Sequence, residues 1–187
     1  MTNNRFHFGV GVSPWYEDFL ATGERWEKRG KRMDEQIDIL KGLMNGEYFA
    51  YKGEFYDIPE LKICPAPSKP VPILIGGHSK LALKRAARIG DGWISAGLTL
   101  DQTKDLIDQI NLYREEYGTL NHPNYQFQVM GEAAYSPDGI KKLEDLGATE
   151  VIVAFRNAYE GGADERTLDG MIAEINWYAE EVINKSK

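Results

Sequence analysis

The stretch PVPILIGGHSKLALKRAARIGDGWI, Pro70 to Ile94, holds the turns on which the fold depends. Three apolar residues, Ile73 to Ile75, run into Gly76-Gly77, and a serine follows at Ser79. Ala82, Leu83, Ala86 and Ala87 then recur at helical spacing, with Lys80, Lys84, Arg85 and Arg88 mostly off that face. Gly90-Asp91-Gly92 leads into a second apolar run, Gly92 to Ala96. The pattern predicts a strand, a helix from about Ser79 to Ile89, and a further strand.

The same alternation extends in both directions. Arg5 to Val12 reads as a strand ending in Gly-x-Gly. Glu24 to Asn45 reads mainly as a helix, with Met33, Ile37, Leu40 and Met44 on one face and Gly46 as its stop. Glu47 to Ile58 reads as a β-hairpin turning at Lys52-Gly53. Leu61 to Pro72, with four prolines, reads as a loop. Beyond Ala96, Thr99 is placed to cap a helix carrying Leu106, Ile110, Tyr113 and Tyr117, closed by Gly118. Tyr125 to Ala134 reads as the fourth strand. Ser136-Pro137 opens a helix with Ile140, Leu143 and Leu146 that stops at Gly147. Glu150 to Phe155 is the fifth strand. The last helix, about Asp164 to Asn184, is expected to bury Leu168, Met171, Ile172, Ile175, Ala179 and Val182.

Strand and helix alternate five times, with one hairpin excursion. Such alternation implies an α/β protein with parallel strands and right-handed crossovers. Two architectures satisfy it, an open doubly wound sheet and part of a (β/α) barrel.

The glycine turns carry the chemistry that the sequence offers. A strand ending at Gly76-Gly77 and opening a helix at Ser79 suits an anion, because backbone N–H groups at a helix start lack internal partners. Ser79 and Lys80 would add a hydroxyl and a charge, and His78 stands beside them. The competing reading is a tight turn in which Ser79 only caps the helix. The stretch is neither a P-loop nor a dinucleotide Gly-x-Gly-x-x-Gly. Gly9-Val10-Gly11 would clear room for a flat ring across the strand ends, or would simply allow close packing. Asp91 is expected to shape its turn, Trp93 to lie in the core, and Cys64 to be unreactive.

Composition bounds the function. With 187 residues the chain can bury a real core. The net charge of −7 disfavours a nucleic-acid binder. No apolar run approaches the roughly 20 residues of a membrane span. The single cysteine rules out an internal disulfide, and His7, His78 and His122 have no metal-ligand spacing. A cytoplasmic protein without a metal is expected.

FGVGVSPWYEDF (Phe8 to Phe19), RGKRMDEQIDILKGLMNGEYFAYKGEFYDI (Arg29 to Ile58) and VPILIGGHSKLALKRAARIGDGWI (Val71 to Ile94) together resemble the luciferase-like monooxygenase superfamily, nearest to its deazaflavin-dependent branch. The phrase YKGEFYDI and the block around IGGHS are the most telling. The resemblance implies a (β/α)8 barrel binding FMN or a deazaflavin at the C-terminal ends of its strands, where barrel enzymes keep their sites. It implies cofactor contacts from Gly76, Gly77, His78 and Ser79, and a position beside the cofactor ring for Gly9, Gly11 and Glu17. The family's Gly-Val-Gly-Val-Gly becomes Gly9-Val10-Gly11-Val12-Ser13 here, followed by Pro14.

A barrel of this type needs about 250 residues. The resemblance therefore implies a truncated, incomplete (β/α)8 TIM-type barrel, residues 1–187 forming a single domain that matches the C-terminal five strand–helix units. The first three units, which in the family carry most residues assigned to catalysis, are absent, so no catalytic residue is named. The implied activity is hydride transfer or oxygenation of a small organic substrate. The alternative is a non-catalytic flavin-binding or split-barrel subunit. Open sheet edges imply a homo-oligomer or a partner that completes the barrel.

Overall fold

Ile73, Leu74 and Ile75 are fully buried, as the strand reading of this run requires. The structure, a computed structural model, describes residues 4–156 and 165–186. Its elements in order are β1 (Phe8–Val10), α1 (Tyr16–Thr22), α2 (Arg29–Met44), β2 (Phe49–Lys52), β3 (Asp57–Leu61), β4 (Ile73–Gly76), α3 (Lys80–Ile89) and β5 (Gly92–Ile94). There follow α4 (Leu100–Glu116), β6 (Gln126–Met130), α5 (Pro137–Asp145), β7 (Glu150–Ile152) and α6 (Leu168–Tyr178), which ends in a π-helical turn, Ala179–Ile183.

Five strands form one sheet in the order β1-β4-β5-β6-β7, all parallel, and β2 and β3 pair apart as an antiparallel hairpin. The order never reverses along the chain. Register places Val10, Ile75, Trp93 and Phe127 on one face, and these pack with Met33 and Ile37 of α2, Leu83 and Ala86 of α3, and Ile107 and Ile110 of α4. On the next part of that face, Val129 packs with Leu143 of α5 and with Ala134. The opposite face presents Gly9, Leu74, Gly76, Gly92, Ile94, Gln126, Gln128, Met130, Glu150 and Ile152, and none of these joins either cluster. A doubly wound sheet reverses its strand order and carries helices on both faces. A monotonic order with helices on one face is the arc of a (β/α) barrel seen from its incomplete side.

The local rules that predict the helices operate as expected at several ends. Thr99 and Gln102 form a reciprocal capping box on α4. Ser136 caps α5 with Pro137 in its first turn. Asp91 shapes its turn by accepting the Ile73 N–H at 2.9 Å.

Elsewhere tertiary packing overrides the sequence pattern. Glu24 to Lys28 is not helical; α2 starts at Arg29, and a separate helix, α1, precedes it. The hairpin does not turn at Lys52-Gly53 alone. Lys52 pairs with Asp57, leaving Gly53–Tyr56 as the loop. The Glu35 carboxylate on α2 accepts the N–H groups of Glu54 (2.6 Å), Phe55 (3.0 Å) and Tyr56 (3.2 Å). A Cβ on Gly53 would fall 2.4 Å from that carboxylate, so a side chain there would push Glu35 off the loop. The fourth strand ends at Met130, because Glu132–Tyr135 turns into a 3-10 helix against α5. The last helix starts at Leu168; Asp164, its expected start, lies outside the described residues. It buries Tyr178 and Val182, whereas Leu168, Ile172 and Ile175 are 72%, 46% and 55% exposed.

Candidate functional site

The C-terminal end of β4 is built around the peptide of Gly77. Gly77 has φ +117°, a conformation that L side chains rarely adopt, and a Cβ there would lie 3.1 Å from the Ala82 Cβ. Its carbonyl accepts a hydrogen bond from Trp93 Nε1 at 2.9 Å. Trp93 is fully buried, so the sequence expectation that it is core holds, and its one polar atom also fixes the turn. This link is invisible to local sequence rules, since Gly77 and Trp93 are 16 residues apart.

His78 faces the same corner. Its Nε2 accepts the Ala96 N–H at 3.1 Å, which requires a neutral ring with its proton on Nδ1. Partial burial lowers its pKa from the ordinary value of 6.5, which agrees with that state. Ser79 opens α3: its Oγ accepts the Ala82 N–H at 3.3 Å, and its carbonyl takes the first backbone bond, from Leu83. The hydroxyl proton of Ser79 remains available for donation, and Lys80 stands exposed in the first turn. The N–H groups of Lys80 and Leu81 precede the first helical bond and point off the helix end.

The glycines of β1 lie beside this corner. A Cβ on Gly11 would be 3.7 Å from the Gly76 carbonyl oxygen, so the two strand ends are in backbone contact. A Cβ on Gly9 would be 2.8 Å from Ile94 Cδ1, so Ile94 occupies the space that a side chain there would need. The structure thus brings together Gly9, Gly11, Gly76, Gly77, His78 and Ser79. Glu17 stands on exposed α1, away from them, and its neighbour Asp18 faces the strand end instead. Ser13 Oγ donates to Asp18 Oδ2 at 2.5 Å and accepts the Trp15 N–H at 3.1 Å.

Two cavities adjoin β1. One, of about 280 Å³, lies between Gly11 to Ser13, Asp18 of α1 and the first turns of α2. The other, of about 580 Å³, is lined by Phe8 to Gly11, by Met33, Ile37 and Leu40 of α2, and by Tyr56 and Ile58 of the hairpin. A polar row on the open face of the sheet was not anticipated from the sequence. Gln128 Nε2 donates to Glu150 Oε2 at 2.7 Å, and Gln128 and Glu150 share a register row with Ile94 and Gly76. The alternation Gln126-Phe127-Gln128-Val129 carries the signal: every second residue of that strand is polar and faces away from the helices.

The sequence matches the luciferase-like monooxygenase family over residues 1–164. The chain belongs to that family. An uncharacterised protein of Mycobacterium tuberculosis is 45% identical over 185 residues, which are 99% of this chain and 63% of the relative. The FMNH2-dependent dimethylsulfone monooxygenase of Pseudomonas fluorescens is 32% identical over 114 residues, covering 59% of this chain and 31% of that protein. The coenzyme F420-dependent tetrahydromethanopterin reductase of Methanopyrus kandleri superposes with a TM-score of 0.72 at 13% identity, covering 97% of this chain and 74% of that one. This luciferase-like chain therefore spans less than two thirds of the length of the mycobacterial relative. The matches with an assigned activity include FMNH2-dependent and F420-dependent enzymes. No helix among the described residues is long and apolar enough to cross a membrane.

The corner fits such a cofactor. Gly77 offers backbone with no side chain in the way, in a turn held from below by a buried tryptophan, beside a helix start with unpartnered N–H groups.

Proposed function

We propose that this chain is the C-terminal five-unit portion of a flavin- or deazaflavin-dependent oxidoreductase, and that Gly76, Gly77, His78 and Ser79 hold the phosphate region of the cofactor. The observation that carries the reading is the Gly77 peptide, kept at φ +117° with its carbonyl tied to Trp93. That tie fixes the turn beside the free N–H groups at the start of α3, so little ordering has to accompany binding. Gly11 keeps the neighbouring strand end free of a side chain beside Gly76, where a planar ring would lie, and Gly9 makes room for Ile94 at its edge. Glu17 is the outlying member of this set, exposed on α1 away from the other six.

The bound cofactor supplies the chemistry, hydride transfer for a deazaflavin or oxygenation for FMN, on a small organic substrate. The chain supplies binding and orientation. His78, neutral and fixed by Ala96, presents an Nδ1–H donor rather than a charge. Cys64 is exposed and free, which suits a reducing, cytoplasmic setting. Assembly with a second copy or with a completing partner belongs to the same reading, because among the described residues β1 and β7 each have one strand neighbour in the sheet.

Titration with FMN and with a deazaflavin, followed by quenching of tryptophan fluorescence, tests the site. Gly77→Val should weaken binding at least tenfold while the circular dichroism spectrum is retained. Unchanged affinity in a folded Gly77→Val protein would remove Gly76–Ser79 from the site.

A further inference from the structure

Helix α1 buries none of its own residues, yet two of its aromatic rings are engaged. Tyr16 and Phe19 meet the ring of Trp26 edge-on, at 5.7 Å and 5.1 Å between centroids. Trp26 in turn carries Arg29, whose guanidinium carbon lies 3.5 Å from the indole centroid. Such stacking fixes the plane of the guanidinium. Its Nη1 donates to the Trp26 carbonyl across a long 3.5 Å. Its Nε is buried and has no partner among the described residues. The two acids on the cavity that Arg29 lines, Asp18 and Glu24, are engaged elsewhere. Asp18 accepts from Ser13, and Glu24 lies 3.5 Å from Arg32.

We propose that the cavity of about 280 Å³ beside β1 is a subsite for the anionic group, a carboxylate or a sulfonate, of the small organic substrate, and that Arg29 engages it. The proposal rests on reading the chain as a flavin- or deazaflavin-dependent oxidoreductase, and it names the class of substrate.

A buried donor without an acceptor is costly, and an oxyanion removes that cost. Arginine suits the task because Nε–H and one Nη2–H lie parallel on one edge of its plane and meet two oxygens together. That edge of Arg29 is unclaimed among the described residues. The surroundings favour a negative guest. Helix α2 begins at Arg29 with no acidic residue in its first turn, and Lys28, Lys31 and Arg32 add cations at its positive end. Arg32 is buried and holds the Arg25 carbonyl and Glu24, so it contributes positive potential rather than a free edge. Position favours a substrate over the cofactor phosphate. Gly76, Gly77, His78 and Ser79 do not line this cavity, so the two anions have separate seats. The cavity wall at Gly11 to Ser13 belongs to the strand end that abuts Gly76. An anion held by Arg29 therefore lets the rest of its molecule extend toward the place where the cofactor ring would lie. The volume lies near the lower end for ligand pockets, about 300 Å³, which limits the occupant to a small acid.

Benzoate, benzenesulfonate and the neutral benzamide, added to the flavin-free chain, test this. In nitrogen–proton NMR spectra the Arg29 Nε–H resonance should shift saturably with the two anions and not with benzamide. The backbone amides of Val12 and Ser13 report the same binding in variants. Arg29→Gln should weaken both anions about tenfold, and Arg29→Lys, which keeps the charge and loses the paired edge, should recover only part of that loss. Trp26→Leu should weaken them as well, because it frees the guanidinium plane. Lys104→Gln, on the exposed side of α4, should leave them unchanged. Benzamide binding as tightly as benzoate would overturn the proposal. So would anion affinity indifferent to Arg29→Gln and Arg29→Lys in chains with the wild-type circular dichroism spectrum. Flavin titration separates the source of the anion. Arg29→Gln should leave the affinities for FMN and for riboflavin, which lacks the phosphate, in the same ratio. A loss confined to FMN would assign Arg29 to the cofactor phosphate and overturn the substrate subsite. The two readings also fail apart. Flavin affinity indifferent to Gly77→Val defeats the cofactor corner while anion binding at Arg29 stands, and anion affinity indifferent to Arg29 defeats the subsite while flavin binding stands.

Discussion

Trp93 and Trp177 carry the same side chain into opposite surroundings. Trp93 is fully buried on β5, and its indole N–H donates to the Gly77 carbonyl. Trp177 is 49% exposed on α6, on the side opposite Leu168, Ile172 and Ile175, which are exposed too. Hydrophobic content does not separate the two regions; the presence of neighbours does. The β4–α3–β5 unit has a strand on each side and a helix on its outer face, so its packing is complete within the chain. Among the described residues the β7–α6 unit has neighbours on one side, and its apolar helix surface goes with that.

This contrast makes the largest prediction. Trp93→Ala should cost about 3–5 kcal/mol of unfolding free energy, by lost burial and cavity formation. Trp177→Ala should cost less than about 0.5 kcal/mol, as surface substitutions usually do. Urea denaturation of the two variants checks it, and comparable losses would mean that α6 is packed far better than the structure shows. Trp93→Phe sharpens the point. It keeps most of the ring packing but leaves the Gly77 carbonyl without its donor, so the expected loss is about 1–2 kcal/mol plus weakened flavin binding.

The hairpin is an intermediate case, completed by one carboxylate rather than by a layer of neighbours. Three consecutive N–H groups of its loop depend on Glu35. Glu35→Gln removes the charge from these bonds and leaves at least one N–H poorly matched, at a cost of about 1–3 kcal/mol. Hydrogen exchange at Glu54, Phe55 and Tyr56 should accelerate while amides in β4 and α3 stay protected. Loss of protection throughout would show that the hairpin is coupled to the core rather than attached to it.

How far the sequence discloses each region follows the same division. The β4–α3–β5 unit is legible because its boundaries are set by local chemistry: Gly77 where the backbone turns left-handed, Ser79 where a helix needs a cap, Asp91 where a strand start needs an acceptor. The helix faces of α2 and α3 are legible because their neighbours are present to bury them. Helix α1 escapes such a reading, since none of its residues is buried and no side chain caps it. The apolar face of α6 reads as core because periodicity reports what a helix can bury, not what is there to cover it. Within the site, Gly76 to Ser79 can be picked out by composition. The bonds that shape it, Trp93 to Gly77 and Ala96 to His78, join residues 16 and 18 apart across two strands, and only the register of β4 against β5 brings them together.

The smallest expected effect lies in the site itself. His78 accepts the Ala96 N–H and is partly desolvated, so its pKa in the folded chain is lowered from 6.5. The unfolded chain then takes up a proton before the folded chain does, and stability must fall as the medium is acidified. The contribution is present in full above about pH 6.5, the unfolded value. It is lost as the pH falls from there through the lower folded value. His78→Gln can still accept from Ala96 but cannot titrate. The melting temperature of the wild-type chain relative to His78→Gln should therefore decline between about pH 7.5 and pH 5.5, and exchange of the Ala96 amide should quicken over the same range. A constant difference across that range would mean that the ring titrates as freely as in the unfolded chain. The Ala96–His78 bond would then no longer count among the ties that hold the glycine corner in shape.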